Sequence, residues 1–162
     1  LKKIKTLAEL RKIVASEKAR GKTIVLANGC FDLFHVGHIR YLRGARSKGD
    51  LLVVGLNSDH SVRRLKGRGR PILPQEERAE ILAAFSFVDY VVIFPEPNVE
   101  KLLLALKPDV HVKGSDYSED TVPERETVKA YGGQVAIAGG PKIRNTSVII
   151  KKISASIKSK KY

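Results

Sequence analysis

The chain is predicted to form an α/β three-layer sandwich, with a central parallel sheet covered by helices on both faces, in a single domain. Three observations predict it. Short apolar runs without polar alternation recur along the chain, as in strands buried on both faces. Segments of helical period separate those runs, which is the signature of βαβ units. The 162 residues are enough for one complete core and too few for two, and an apolar fraction of 43% is ordinary for a globular protein.

Residues 7–19 have a helical period, and Thr23-Ile24-Val25-Leu26-Ala27 reads as a central strand that Gly29 ends. Ile39, Leu42 and Ala45 recur at helical spacing, so a helix starts at about His38. Residues 51–56 form a second buried strand. Residues 74–85 form a helix with Pro74 at its start. A strand over 90–93, a helix over 99–106 ending near Pro108 and a strand over 109–112 follow. A helix over 122–131 is closed by Gly132-Gly133, then come a strand over 134–138 and a final helix over 146–153. One domain spans 1–162, with the N-terminal helix within 1–21 and a frayed Ser- and Lys-rich tail over 154–162.

No apolar stretch is long enough to cross a bilayer, and the N-terminus has no apolar run of the kind that begins a secretory signal. With Cys30 as the single cysteine, no internal disulfide forms, and the cytoplasm is the expected compartment. The net charge of +13 calls for a polyanionic partner. Many of the cations are spread over both ends of the chain, at Lys2 to Lys22 and Lys151 to Lys161. The exception is Arg63-Arg64-Leu65-Lys66-Gly67-Arg68-Gly69-Arg70-Pro71, where five cations share a Gly- and Pro-punctuated loop. Such a loop can fold over phosphates. It could also serve as an RNA-binding arm, although no aromatic residue is present in it to stack bases.

The segment Asn28-Gly29-Cys30-Phe31-Asp32-Leu33-Phe34-His35-Val36-Gly37-His38 carries most of the chemical information. It joins a buried strand to a helix start, where free N–H groups and the helix dipole favour anions. His35 and His38 flank that start as two neutral donors, and Gly37, lacking Cβ, would let a phosphate approach the backbone. A metal bound by Asp32, His35 and His38 is the competing reading, but no further Cys or His is nearby to close a structural site. His60 and His111 read as surface or satisfied core residues, and Cys30 as a small apolar residue in a tight loop.

Ligands of such sheets bind beyond the carboxyl ends of the strands. Four marked loops lie there: the histidine segment, Asn57-Ser58-Asp59, Lys113-Gly114-Ser115-Asp116-Tyr117, and Arg144-Asn145-Thr146-Ser147. Rival nucleotide motifs fail. Gly21-Lys22-Thr23 precedes a strand and has Ser16 where a P-loop needs glycine, and no G-x-G-x-x-G opens a helix.

These residues resemble the Rossmann-like nucleotidyltransferases that carry an H-x-G-H box. Within that superfamily the chain is most similar to the adenylyltransferases that make ADP-heptose from ATP and D-glycero-D-manno-heptose 1-phosphate. The resemblance rests on Ala27 to Asp32, the His35 to His38 box, Leu56-Asn57-Ser58-Asp59, Arg64-Leu65-Lys66-Gly67, Arg70-Pro71, Glu77-Arg78, Val112 to Tyr117 and Ile149 to Ile153. Where such enzymes carry Ser-Thr-Thr at the last helix start, this chain has Asn145-Thr146-Ser147. The resemblance implies His35, His38 and Lys66 as catalytic residues. Gly29, Cys30, Phe31, Gly37, Lys113, Gly114, Asp116, Thr146 and Ser147 would bind nucleotide. Arg70, Arg78 and Arg144 are candidates for the substrate phosphate. Asp116 would hold the ribose hydroxyls, with a simple turn residue as its alternative; Arg78 reads equally as a helix-surface ion pair with Glu77 or Glu80, and Asp32 reads as a helix cap that orients its loop. The implied cofactor is Mg²⁺ carried on ATP, with no protein ligand. The implied partners are ATP and a sugar phosphate, in a homodimer, with neither membrane nor nucleic acid. Transfer of cytidylate to glycerol phosphate or choline phosphate, FMN adenylylation, and a basic nucleic-acid-binding module remain as alternatives.

Overall fold

The computed structural model describes residues 2–141 and 146–159, and within them five strands make one parallel sheet in the order β3-β2-β1-β4-β5. The strands are β1 (Ile24–Gly29), β2 (Leu51–Asn57), β3 (Tyr90–Phe94), β4 (Val110–Gly114) and β5 (Gln134–Ala138). The helices are α1 (Leu7–Ala19), α2 (Val36–Arg46), α3 (Asp59–Lys66), α4 (Gln75–Ala84), α5 (Glu100–Leu106), α6 (Arg125–Ala130) and α7 (Thr146–Ser159). None of the described helices is long and apolar enough to cross a membrane.

Successive residues of β1 serve opposite layers. Val25 and Ala27 pack with Leu42 and Ala45 of α2 and with Ala79, Leu82 and Ala83 of α4. Ile24 and Leu26 pack instead with Leu10 and Val14 of α1, Leu102, Leu103 and Leu106 of α5, and Val128 of α6. This explains why the strands read as unbroken apolar runs, since both faces must be apolar when helices cover both. Helix α2 lies close to β5: a Cβ on Gly44 would meet the Ala138 Cβ at 2.9 Å.

Two elements differ from expectation. Arg63, Arg64 and Lys66 lie on helix α3, not in a loop. Ser58 caps that helix by accepting from Ser61 N–H at 3.2 Å, Asp59 occupies its first turn, and Gly67 ends it at φ +89°. Helix α7 runs past Ser154 to Ser159, because Ile153 and Ile157 continue the helical spacing of Ile149 and Ile150. Residues 160–162 lie outside the described part of the chain.

The strand order determines where a ligand can enter. From β1 the chain moves to β2 and β3 on one side, then crosses to β4 on the other. β1 pairs with β2 as far as Gly29↔Leu56 but with β4 only to Ala27↔Val112. The loops after β1 and β4 therefore part, leaving a cleft at the switch point.

Candidate active site

A cavity of about 490 Å³ fills that cleft. Gly29, Cys30, Phe31, His35, Gly37 and His38 line it from the β1 side, and Lys113, Gly114 and Asp116 from the β4 side. Thr146 and Ser147 at the start of α7 close a third wall, and Lys66 and Arg70 reach it from the end of α3 and the loop beyond. Of the expected site residues, Arg78 is not on the cavity wall, and Arg144, with Asn145, lies outside the described residues.

The two histidines cap helix α2 reciprocally. Gly37 N–H donates to His35 Nδ1 at 3.1 Å, and His35 N–H donates to His38 Nδ1 at 3.4 Å. Their rings stack with centroids 3.8 Å apart. A nitrogen that accepts cannot carry the proton, so each neutral ring is the Nε2–H tautomer. The Gly37 N–H is thus used by the cap instead of being left for a phosphate. Burial lowers the pKa of both rings, in His38 to about 4 with the neighbouring His35 as a second cause. Both are neutral donors at physiological pH.

This depression makes a prediction about stability. Native His38 titrates near 4, and burial lowers native His111 to about 3, whereas the ordinary value is 6.5. As pH falls below 6.5 the unfolded chain takes up these protons first, so their contribution is complete above 6.5 and is lost progressively toward 4 and 3. Urea midpoints are expected to vary little between pH 7 and 8 and to drop between pH ~6 and ~4. A midpoint that rises on acidification in that window would contradict the buried, neutral rings.

The loop between β1 and α2 is held in place by packing. Phe31 and Leu33 adopt φ +46° and +45°, a region costly for residues with a Cβ. The Phe31 ring is buried against Tyr41, with centroids 6.3 Å apart, and meets the His38 ring edge-on at 5.3 Å. A Cβ on Gly29 would stand 3.2 Å from the Phe31 ring, so this glycine makes room for an aromatic side chain. Asp32, 1% exposed, caps no helix. Its carboxylate accepts from Arg70 Nε at 2.7 Å and from the N–H groups of Ile72 and Leu73, and its carbonyl accepts from the Thr146 hydroxyl at 2.6 Å. Burial alone would raise the Asp32 pKa, but the Ile72 and Leu73 N–H groups and Arg70 outweigh it and hold the carboxyl below its usual range. Asp32 therefore ties together three walls of the cavity.

Other expectations are corrected in the same way. Arg78 forms no surface pair with Glu77 or Glu80. At 1% exposure its guanidinium donates to the carbonyls of Leu73, Cys30 and Asn57 and to Asp59 Oδ1 at 2.7 Å. The Asn57-Ser58-Asp59 loop does not line the cavity: Asn57 and Ser58 are buried, and their side chains are engaged with Ser61. His60 is exposed on α3, and His111 is fully buried in β4. Lys113 pairs with the buried Glu124 at 3.2 Å.

Tyr41 is among the wall residues that were missed. It lies three residues after His38 on α2, a spacing that places both on one helix face. Its hydroxyl donates to Val112 O at 2.7 Å and accepts from Asn28 N–H at 3.3 Å, bridging β1 and β4 where they separate. Burial pushes its pKa well above the usual phenol value.

Comparison with known proteins agrees with this geometry. Residues 26–159 match the cytidylyltransferase-like family model. The chain is 56% identical over 151 residues to the bifunctional protein HldE of Geobacter sulfurreducens, covering 93% of this chain and 31% of that protein. It is 54% identical over 157 residues to HldE of Geotalea uraniireducens, covering 96% of this chain and 32% of that one. It thus spans about a third of the length of these curated relatives. A solved lipopolysaccharide core biosynthesis protein from Thermoplasma volcanium superposes with TM-score 0.61 at 31% identity, over 72% of this chain and 93% of that one. A pantoate-beta-alanine ligase from Francisella tularensis, 17% identical with TM-score 0.62 over 89% of this chain and 68% of that one, shares the fold. With an H-x-G-H box capping a helix at the switch point of a parallel sheet, the chain belongs to the cytidylyltransferase-like family.

Proposed function

We propose that this domain transfers AMP from ATP to heptose 1-phosphate, releasing pyrophosphate and forming ADP-heptose for lipopolysaccharide core synthesis. The observation that carries the transfer chemistry is the pair of neutral imidazoles, each with Nδ1 occupied and Nε2–H available, at the mouth of one cavity. The choice of sugar rests on identity to HldE and to a lipopolysaccharide core biosynthesis protein.

Two polyanions must meet. Each unit-charge pair repels by about 4 kcal/mol at 4 Å and an effective dielectric near 20. The acceptor needs no activating base, because a phosphate monoester with a second pKa near ~6 is already largely dianionic at neutral pH. Its oxygen attacks the α-phosphorus in line, and the bond to the bridging oxygen of pyrophosphate breaks. His35 and His38 donate from Nε2 to oxygens whose charge grows in the transition state. Lys66 bridges the attacking and transferred phosphates, and Arg70, held by Asp32, faces the acceptor phosphate. Ser147 and the start of α7 face the β- and γ-phosphates, with the Thr146 hydroxyl directed to Asp32 O. Lys113 and Asp116 line the nucleoside end, Asp116 toward the ribose hydroxyls. Among the described residues no cluster of three His, Cys, Asp or Glu could hold a metal, and Asp32 is already saturated by donors. These residues fit Mg²⁺ that arrives on the triphosphate as part of the substrate.

The reading carries with it a cytoplasmic homodimer acting on small molecules, with no membrane or nucleic-acid partner. Pyrophosphate release is to be measured with ATP and CTP against heptose 1-phosphate, glycerol phosphate, choline phosphate and FMN. Turnover is expected with ATP and the heptose alone. Turnover with CTP and an alcohol phosphate would make it a cytidylyltransferase, and turnover with FMN an FMN adenylyltransferase. Salt-sensitive oligonucleotide binding without turnover would replace the enzyme by a binding module.

A further inference from the structure

His111 sits in β4, fully buried, and its register partners in the strands on either side are the aliphatic Leu26 of β1 and Val135 of β5. Its Nε2 is 3.1 Å from Asn28 Oδ1, and its Nδ1 is buried with no partner among the described residues. A buried nitrogen left unpaired is unfavourable, and an aliphatic residue would pack there without that cost. The bond to Asn28 is the one polar contact among the described residues that distinguishes histidine from leucine at this place.

Asn28 is the residue at which β1 loses β4 as a neighbour, and it lines the cavity. Its backbone N–H is held by Tyr41, and its Oδ1 faces His111. The amide nitrogen is the remaining polar group of the side chain, and it has no hydrogen bond among the described residues. Burial depresses the His111 pKa, so the ring donates as a neutral Nε2–H and adds no charge beneath the site.

We propose that His111 is a positioning residue for nucleotidyl transfer: by donating to Asn28 Oδ1 it holds the Asn28 amide with Nδ2 turned into the cavity. There Nδ2 is a third neutral donor to the phosphoryl oxygens of the transferred group, beside the two imidazoles. The inference rests on the proposed nucleotidyl transfer and adds two residues to it. Without His111 the amide can rotate and present its oxygen, an acceptor, to an anion.

The test uses pyrophosphate release by the whole chain, with melting curves for every variant. Asn28→Ala and His111→Leu are each expected to lower kcat about tenfold or more, as for loss of an aligned donor, with KM for either substrate within about threefold of wild type. Because His111 acts through Asn28, the double variant should lose no more than Asn28→Ala alone. His111→Gln, which can donate from its own amide, should recover much of the loss. A packing defect would instead lower the melting temperature, multiply with Asn28→Ala and resist rescue by glutamine. The inference is overturned if either single variant keeps wild-type kcat, or if the two losses multiply. Should His111→Leu fail to fold, His111→Val takes its place in the cycle, and wild-type kcat in Asn28→Ala overturns the inference by itself. A wild-type chain that turns over with no acceptor removes the transfer reading and this inference together, whereas turnover that the variants retain removes only the inference.

Discussion

His38→Ala is expected to lower turnover by roughly two to three orders of magnitude, the loss typical of a donor aligned on developing charge. Its Nδ1 is occupied by His35 N–H, so its Nε2–H is committed to the cavity side. Its burial and its pKa near 4 keep it a neutral donor across the working pH range. The substitution also removes the acceptor for His35 N–H and the ring stacked on His35, so part of the His35 alignment is lost with it. Loss of the cap should cost about 1 kcal/mol of stability, which a folded domain tolerates. Single-turnover pyrophosphate release with saturating ATP, beside far-ultraviolet dichroism, separates the two effects. Turnover within tenfold of wild type in a folded variant would show that the paired rings are only a helix cap.

Arg78→Met is expected to be the most destabilising single change at the site, by about 3–5 kcal/mol, although Arg78 does not line the cavity. The buried guanidinium satisfies three backbone carbonyls, from the ends of β1 and β2 and the approach to α4, together with the Asp59 carboxylate. Methionine fills the volume but leaves all four acceptors without that donor and Asp59 without its countercharge. For a chain of this size such a loss shifts the melting temperature by roughly 6–20 °C. Denaturant titration is the direct measure. A change under about 1 kcal/mol would mean that water replaces the guanidinium at these carbonyls. Arg78→Lys should recover little, because an ammonium cannot span acceptors set around a planar fork.

Arg78 also shows what a linear reading misses. Its neighbours Glu77 and Glu80 suggest an exposed helix pair, and nothing local reveals that its partners come from residues 30, 57, 59 and 73. Asp32 is a similar case. Beside a helix start it reads as a cap, yet its acceptors face residues some forty positions later, and Tyr41 reads as one more half-apolar helix residue. By contrast, Ile24 to Ala27 and Leu51 to Leu56 were legible as parallel strands because both faces are covered, which forces apolar residues at every position. The histidine box was legible because its chemistry is local. Two rings three residues apart at a helix start meet through the geometry of one turn.

The sequence by itself determined the alternation of strands and helices, the helix mouth with its two imidazoles, and, apart from Asn57 to Asp59, the loops that converge on it. Those features follow from periodicity and from contacts within a few residues, which the chain encodes locally. The tertiary structure alone decided the strand order that opens the cleft, the depth to which His38 is desolvated, and the side chains that brace the cavity. Burial, desolvation and long-range hydrogen bonds depend on which distant residues become neighbours, and that is settled only when the sheet and its two helical layers close together.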